Sequence, residues 1–419
     1  MTTVRRRALL AGAASLLPAA ARAATEIRIM WYSDGNEGEV LRSLLDRFEA
    51  ANPDVKVILD AVSYKTISES LPALVGSGQA PDMARVSDLG RQADSYLDIG
   101  PLLQDRAVWE KDFAAVLPWL RPAGNSTGIF GLMTQLTVTM PIVNETLFKQ
   151  AGVPLPGANA TWPDWADAAK SVAQALNVPI PIAIDRSGQA LAGPAISLGA
   201  KFFDDETPEI ADDGFRNAMQ MFYDWHRDGV MSKRLWGSVG GASFRGANEE
   251  FASGRVVLYV TGSWQFAQFA RTIGNAFNWH GVPNPCGPAA CTGMPGGAAL
   301  VAFKSTKHPR EVARIFDYLA SEPVYADYHA RTLFLPASAT LAANGVPYHA
   351  DLPRVENSLA AAMANAKTLS PIAYRLQGYP RNRVLFNAMI VRLNQAISGE
   401  ISLDAAFTRM ASDVAAALR

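Results

Sequence analysis

Ile27-Arg28-Ile29-Met30-Trp31, then Leu41, Leu44, Leu45 and Phe48, then Val55-Lys56-Val57-Ile58-Leu59: the reading of this stretch decides the fold. The first run is short, apolar and rich in strand formers. The leucines and Phe48 recur at the spacing of one helix face, and the last run is a second strand. A helix around Ile67 to Leu74 leads through Gly76-Ser77-Gly78 into Ala80-Pro81-Asp82-Met83-Ala84-Arg85-Val86, where a third strand is expected. Strands alternating with helices predict an α/β protein whose mainly parallel sheet is covered by helices.

Ligands of such sheets bind beyond the carboxyl ends of the strands. The loops after Met30, Leu59 and Val86 carry Trp31, Tyr32, Asp34, Tyr64 and Asp88, which sets aromatic faces beside carboxylates. A plainer reading has Trp31 and Tyr64 simply covering the core.

Farther along, Leu136 to Val143 is a β-rich run, and Thr161-Trp162-Pro163-Asp164 has the spacing of a capped helix start. Ala211 to Asp228 predicts an amphipathic helix carrying Phe215, Met219, Phe222 and Tyr223. Arg255 to Val260 predicts a buried strand that ends at Thr261-Gly262-Ser263-Trp264, where a further helix is expected to open. Free N–H groups at such a helix start could hold an anionic or hydroxyl-rich ligand, with Trp264 as a stacking face. Gly296 to Phe303 reads as a strand. The apolar stripes of the helix from Pro309 and of the helix ending at Leu418 read as core.

The chain opens with Arg5-Arg6-Arg7, the apolar stretch Ala8 to Ala21, and Ala21-Arg22-Ala23. This is the pattern of a secretory signal cleaved near Ala23. Arg6-Arg7-Ala8-Leu9-Leu10 resembles a twin-arginine (Tat) core, with Sec export as the alternative. No Cys lies near the cleavage point to support a lipid anchor. Loss of four arginines would take the formal charge from -1 to -5 over the remaining 396 residues. A mildly acidic chain lacks the basic footprint that nucleic acid or anionic lipid needs. Its length exceeds one usual core, so two lobes are expected. In an oxidising compartment Cys286 and Cys291, in a turn-rich span, predict a local disulfide; free thiols are the alternative, and nothing nearby supplies the other ligands of a metal site.

Catalytic patterns are missing. The five histidines, His226, His280, His308, His329 and His349, show no paired metal spacing. Gly241-Ala242-Ser243-Phe244-Arg245 lacks the last glycine of a nucleophile elbow. Gly76-Ser77-Gly78-Gln79-Ala80-Pro81 has Pro81 where a dinucleotide fingerprint needs its third glycine. Asp204-Asp205 and Asp212-Asp213 lie in turn-like contexts without the opposed geometry of a glycosidase. No Walker A sequence occurs, so ATP coupling would lie in another protein. The expectation is a protein that is not an enzyme and has no cofactor.

Several ordered stretches carry a resemblance: Phe48-Glu49-Ala50-Ala51-Asn52-Pro53-Asp54-Val55, Gly78-Gln79-Ala80-Pro81-Asp82, Val143-Asn144-Glu145-Thr146-Leu147-Phe148, Thr161 to Trp165, Phe251-Ala252-Ser253-Gly254-Arg255-Val256, Gly262-Ser263-Trp264, Gly296-Gly297-Ala298 and Phe316 to Glu322. Together they resemble the periplasmic solute-binding proteins of ABC importers, in the group that binds sugars and glycerol phosphates. The resemblance implies a two-lobe fold with a hinge and an interlobe ligand cleft. It places residues 24–136 plus 300–335 in lobe 1 and 137–299 plus 336–419 in lobe 2. It implies a periplasmic monomer that captures a carbohydrate or polyol and delivers it to the permease subunits. A glycerol-3-phosphate or glycerophosphodiester ligand is the alternative, and a sensor partner or a secreted hydrolase are competing classes.

The tail Tyr374-Arg375-Leu376-Gln377-Gly378-Tyr379-Pro380-Arg381-Asn382-Arg383-Val384 is most similar to the glycerol-3-phosphate binders. By that likeness the ligand positions fall on Tyr64, Asp88, Thr137, Ser263, Gly297, Tyr348 and Arg383; Asp34 and Trp264 join them from the residue reading. Arg383 would hold a phosphate, or else pair with an acid across the hinge. The segment Asp185-Arg186-Ser187-Gly188-Gln189 lacks the tryptophans of those binders, and Trp264 adds bulk, which favours a sugar or polyol.

Overall fold

The computed structural model describes residues 24–205, 207–236, 246–349 and 352–418. The export segment and Gly241 to Arg245 lie outside the described residues. The opening unit forms as the periodicity predicts. Strand β1 (Thr25–Trp31) pairs in parallel with β2 (Val55–Ala61), and the helix Glu37–Ala51 between them buries Leu41, Leu44, Leu45 and Phe48. Strand β3 (Met83–Val86) adds to the other edge of β1.

The sheet continues through β4 (Gly131–Asn144), β5 (Ile180–Ile184), β8 (Val256–Gly262), β9 (Trp279–Gly281) and β10 (Pro295–Ala302). A small hairpin, β6 (Phe203–Asp204) and β7 (Thr207–Pro208), stands apart. The order is β2-β1-β3-β10-β4-β8-β5, with β9 also on β4. The expected mainly parallel sheet is corrected here. β10 runs antiparallel to β3 and β4, and β4 runs antiparallel to β8 and β9, while only the outer pairs β1–β2, β1–β3 and β5–β8 are parallel. The reason is that β4 and β10 belong to no β-α-β unit. A strand of 14 residues extends roughly 45 Å, too long for one lobe, and β4 serves both.

The first half of β4 pairs with β10, and its second half pairs with β8. Buried side chains gather accordingly. One core unites Ile29, Leu44, Met83, Leu132, Leu300 and Phe316; the others gather Trp165, Ile182, Phe215, Leu258 and Met389, and Val138, Phe251, Phe266 and Trp279. Between them three chain passages meet. The N–H of Leu136 donates to the Leu335 carbonyl at 3.0 Å, and Leu136 faces Gly297 across the ladder. Gly297 has φ +152°, and a Cβ there would stand 2.0 Å from the Gln135 carbonyl oxygen, so only glycine fits this approach.

Local chemistry explains other features. Thr161 and Asp164 make a reciprocal capping box on the helix Trp162–Leu176. Asp212 of the paired carboxylates accepts the Phe215 and Lys201 N–H groups, each at 2.8 Å, and caps the helix Asp213–Arg227. Cys286 and Cys291 are joined in a disulfide, and the Cys286 N–H donates to the Ala160 carbonyl at 2.8 Å, which ties this turn to the capped helix start. No described helix is long and apolar enough to cross a membrane.

Two histidines are buried as neutral core residues. His226 and His329 each set Nδ1 2.7 Å from the carbonyl four residues earlier, where an Nδ1–H donates, and their Nε2 atoms are buried without a partner. Burial lowers both pKa values from 6.5 to about 4. As pH falls below 6.5 the unfolded chain binds these protons first. Stability is therefore full above pH 6.5 and is lost toward pH 4, by on the order of 3 kcal/mol per histidine. Thermal unfolding at pH 7 and pH 4.5 should show a smaller acid loss for His329→Leu than for the unaltered protein; an equal loss would assign the effect to other groups.

Candidate functional site

Beside this meeting point lies a cavity of about 430 Å³ whose wall combines both halves of the sheet. From the first half come Tyr32 and Asp34, in the loop after β1, and Tyr64, the first residue of the helix Tyr64–Gly76. From the other side come Asp185 to Ser187, after β5, and Trp264, after β8. Strand β4 supplies Gln135, Thr137 and Thr139, which share one face because side chains alternate along a strand. Gly296 and Gly297 of β10 expose backbone beside them.

The wall after β1 is held by one fully buried cation. Arg85 of β3 donates Nη1–H to the Tyr32 carbonyl and to Glu37 Oε1, both at 2.7 Å; its Nη2 reaches Gln135 Oε1 at 2.6 Å and Asp34 Oδ2 at 3.2 Å. The guanidinium also lies 4.2 Å from the centre of the Tyr32 ring. Glu37, wholly buried, accepts the N–H groups of Asp34 and Gly35 as well. One ion pair therefore fixes the loop, β3 and β4 together. Burial raises the Asp34 pKa, and Arg85 opposes the shift. Asp185, 3.4 Å from the Tyr259 hydroxyl that donates to it, is raised by burial too, while its Ser187 and Tyr259 hydrogen bonds work against that.

Six of the nine expected positions line this cavity: Asp34, Tyr64, Thr137, Trp264, Gly297 and Arg383. Three stand elsewhere. Ser263 is buried and its hydroxyl accepts the Val138 N–H at 3.2 Å. It belongs to a 3₁₀ turn, Ser263–Gln265, that runs into the helix Phe266–Thr272, so the α-helix begins later than expected. Tyr348 donates its hydroxyl to the Phe334 carbonyl at 3.0 Å and packs with the Val138 core. Asp88 accepts from Arg383 Nε at 3.3 Å instead of facing the cavity, and Arg383 Nη2 lies 3.2 Å from the Tyr64 hydroxyl. Trp31 is buried core, whereas Tyr64 is 45% exposed. The Trp264 ring folds over Gly262, where a Cβ would sit 1.9 Å from it.

Sequence reasoning missed Gln135, Thr139 and Asp185 as wall residues. The alternation Gln135, Thr137, Thr139 inside an otherwise apolar run was a readable signal for the first two. Among the described residues no three His, Cys, Asp or Glu side chains gather as a metal-holding group. Two carboxylates, Asp34 and Asp185, and two guanidiniums, Arg186 and Arg383, balance in formal charge around the cavity. Such a wall suits a neutral, hydroxyl-rich solute.

Residues 32–326 match the model of the bacterial extracellular solute-binding protein family, and the chain belongs to that family. Its fold is the two-lobe α/β fold of periplasmic binding proteins, and it is a solute-binding protein that works outside the cytoplasm. The chain is 22% identical to the sn-glycerol-3-phosphate-binding periplasmic protein UgpB of Rhizobium meliloti, covering 95% of this chain and 96% of that one. In three dimensions it is similar to the Listeria monocytogenes ABC substrate-binding protein Lmo0181 in complex with cycloalternan: TM-score 0.75, 17% identity, 94% and 99% of the two chains. A Thermotoga lettingae ABC transporter solute-binding protein bound with alpha-D-tagatose gives TM-score 0.77, 15% identity, and 93% and 99% coverage.

Removing Arg85 should expose the dependence of this wall on one charge. Arg85→Met leaves Glu37 buried without its cation and should cost about 3–5 kcal/mol in urea unfolding, whereas Arg85→Met with Glu37→Leu should recover much of the loss. A single variant as stable as the unaltered protein would refute that dependence.

Proposed function

We propose that this protein is the substrate-binding component of an ABC importer, holding a carbohydrate or polyol in the cavity between its lobes and presenting it to the permease subunits. The observation that carries the reading is the wall itself: Trp264, Tyr32 and Tyr64 offer apolar ring faces, while Asp34, Gln135, Thr137, Asp185 and Gly297 offer polar groups within a cavity of about 430 Å³. Aromatic surface with a few convergent polar groups is how polar solutes are held, and the volume falls in the range of roughly 300–1,000 Å³ for small-molecule sites. The neighbours bound to cycloalternan and tagatose support a sugar. Lobe 1 comprises residues 24–136 and 300–335 and lobe 2 the remainder, with Leu136, Gly297 and Leu335 at the crossings. Hinge closure about these crossings would create the face a permease reads.

The reading includes a periplasmic monomer, an export signal cleaved near Ala23 with a twin-arginine core, and no turnover of the bound solute. A glycerol phosphate is the second reading, favoured by the UgpB likeness and by Arg383 on the wall. Against it, Arg383 is already paired with Asp88.

A thermal-shift screen with sugars, polyols and glycerol phosphates tests the choice. A true ligand at 100 times its dissociation constant stabilises by roughly 2.7 kcal/mol. A shift with sugars or polyols alone supports the first reading, a shift with glycerol-3-phosphate that Arg383→Ala abolishes supports the second, and no shift overturns both. Trp264→Ala should weaken sugar binding by about 1 kcal/mol in calorimetry if the ring stacks on the solute; unchanged affinity would return Trp264 to the core.

A further inference from the structure

Away from the shared ladder, the two lobes meet along a seam of three contacts. Trp119 of lobe 1 lies 6.1 Å from the Tyr374 ring of lobe 2, and a Cβ on Gly378 would stand 3.1 Å from Trp119 Cδ1. Gly90, in the loop after β3, meets Pro380 backbone to backbone. A Cβ on Gly90 would stand 2.7 Å from the Pro380 Cα and 3.0 Å from its carbonyl oxygen, so no larger residue fits there. Last, Arg383 Nε donates to Asp88 Oδ2 at 3.3 Å and Nη2 to the Tyr64 hydroxyl at 3.2 Å, while the Ser87 hydroxyl donates to Tyr64 at 3.3 Å. This contact stands where the first cavity adjoins a second, of about 550 Å³, that shares Tyr64, Ser87 and Arg383 with it.

Both edges of the seam are braced within their own lobes. In lobe 2 the buried Asn382 donates Nδ2 to the Leu376 and Gln377 carbonyls at 3.3 and 3.0 Å, and its N–H donates to the Tyr379 carbonyl at 3.0 Å. The turn that carries Pro380 is thereby fixed at the start of the helix Asn382–Ile397, which carries Arg383. In lobe 1 the Arg91 N–H donates to the Asp88 carbonyl at 3.3 Å, and Arg91 Nη1 donates to the Ser68 carbonyl at 3.3 Å, which ties the Gly90 loop to the helix Tyr64–Gly76. Braced edges lose little freedom on meeting, so modest contacts suffice to join them. The contacts are modest: the Arg383 and Asp88 side chains keep 31% and 19% of their exposure, and an ion pair partly in water adds little. A seam of this kind can release as well as hold.

We infer that residues 87–90 and residues 379–383 form an interlobe latch that keeps the lobes shut independently of any solute, with the open form a minor state. Every contact in it is made by the protein's own groups, so none waits for a solute to form. A solute that binds the shut form then loses no affinity to closure, whereas loosening the latch weakens apparent affinity by the factor lost from the shut share. The inference rests on the lobe division given above and not on what the solute is.

Small-angle X-ray scattering without added solute, on protein unfolded in guanidinium and refolded to strip any carried solute, tests the latch. The radius of gyration of the unaltered protein should equal that of the structure. Gly90→Leu adds bulk against Pro380 at a position that lines neither cavity, and should enlarge it. Asp88→Ala with Tyr64→Phe removes the acceptors of Arg383 and adds no bulk; it should raise the open-to-shut ratio about tenfold in a two-state fit of the curves, equivalent to about 1.4 kcal/mol. Should Gly90→Leu fail to fold by circular dichroism, or disagree, the double variant decides. An unaltered protein already as open as the variants, or a double variant as compact as the unaltered protein, would overturn the latch. Either result leaves the carbohydrate reading to the thermal-shift screen.

Discussion

The antiparallel crossing of β4 by β10 is the constraint on which the rest of the molecule depends. Both strands run through the centre of one sheet, so the two lobes share a backbone ladder while keeping separate cores. The cavity exists because that ladder is flanked by loops from both sides. Its floor is polar because Gln135, Thr137 and Thr139 alternate on one face of β4 and line the cavity. Gly297 permits the closest approach, and any larger residue would push β10 away from the floor.

On this ladder rests a second, electrostatic constraint. Arg85 and Glu37 are both removed from water, and a buried pair of this kind is held by its hydrogen bonds more than by its net stability. Its value lies in geometry. Four acceptors around Arg85 come from two pieces of chain, residues 32–37 and β4, and Arg85 stands on a third, β3, so Tyr32, Asp34 and Gln135 keep fixed positions before any solute arrives. Preorganised walls bind with less ordering cost than flexible ones. Arg383 plays the opposite part: it reaches across the cleft to partners at the long end of hydrogen bonding and in partial contact with water.

Much of this was legible in the residues. Helix faces such as Leu41, Leu44, Leu45 and Phe48, and caps such as Thr161 with Asp164, depend on near neighbours in sequence, and the structure forms them where periodicity and spacing put them. The direction of β4 and β10 was not legible, since an apolar strand reads alike whether its neighbours run with it or against it. Ser263 and Tyr348 could not be told from cavity residues because each finds its hydrogen-bond partner, Val138 or Phe334, only after distant strands assemble. Gln135 was overlooked although its alternation with Thr137 was in plain view.

By itself the sequence determined an α/β chain with export features, two cores' worth of apolar periodicity, a local cysteine pair and no recognised catalytic motif, because each of these is written in residue type and short spacing. Only the tertiary structure decided which polar side chains face one another across the cleft, that Arg85 is a buried anchor while Arg383 spans to Asp88, and that two cavities share Tyr64. Those facts depend on contacts between residues as far apart as Tyr64 and Arg383, and no local rule fixes a distance of that kind.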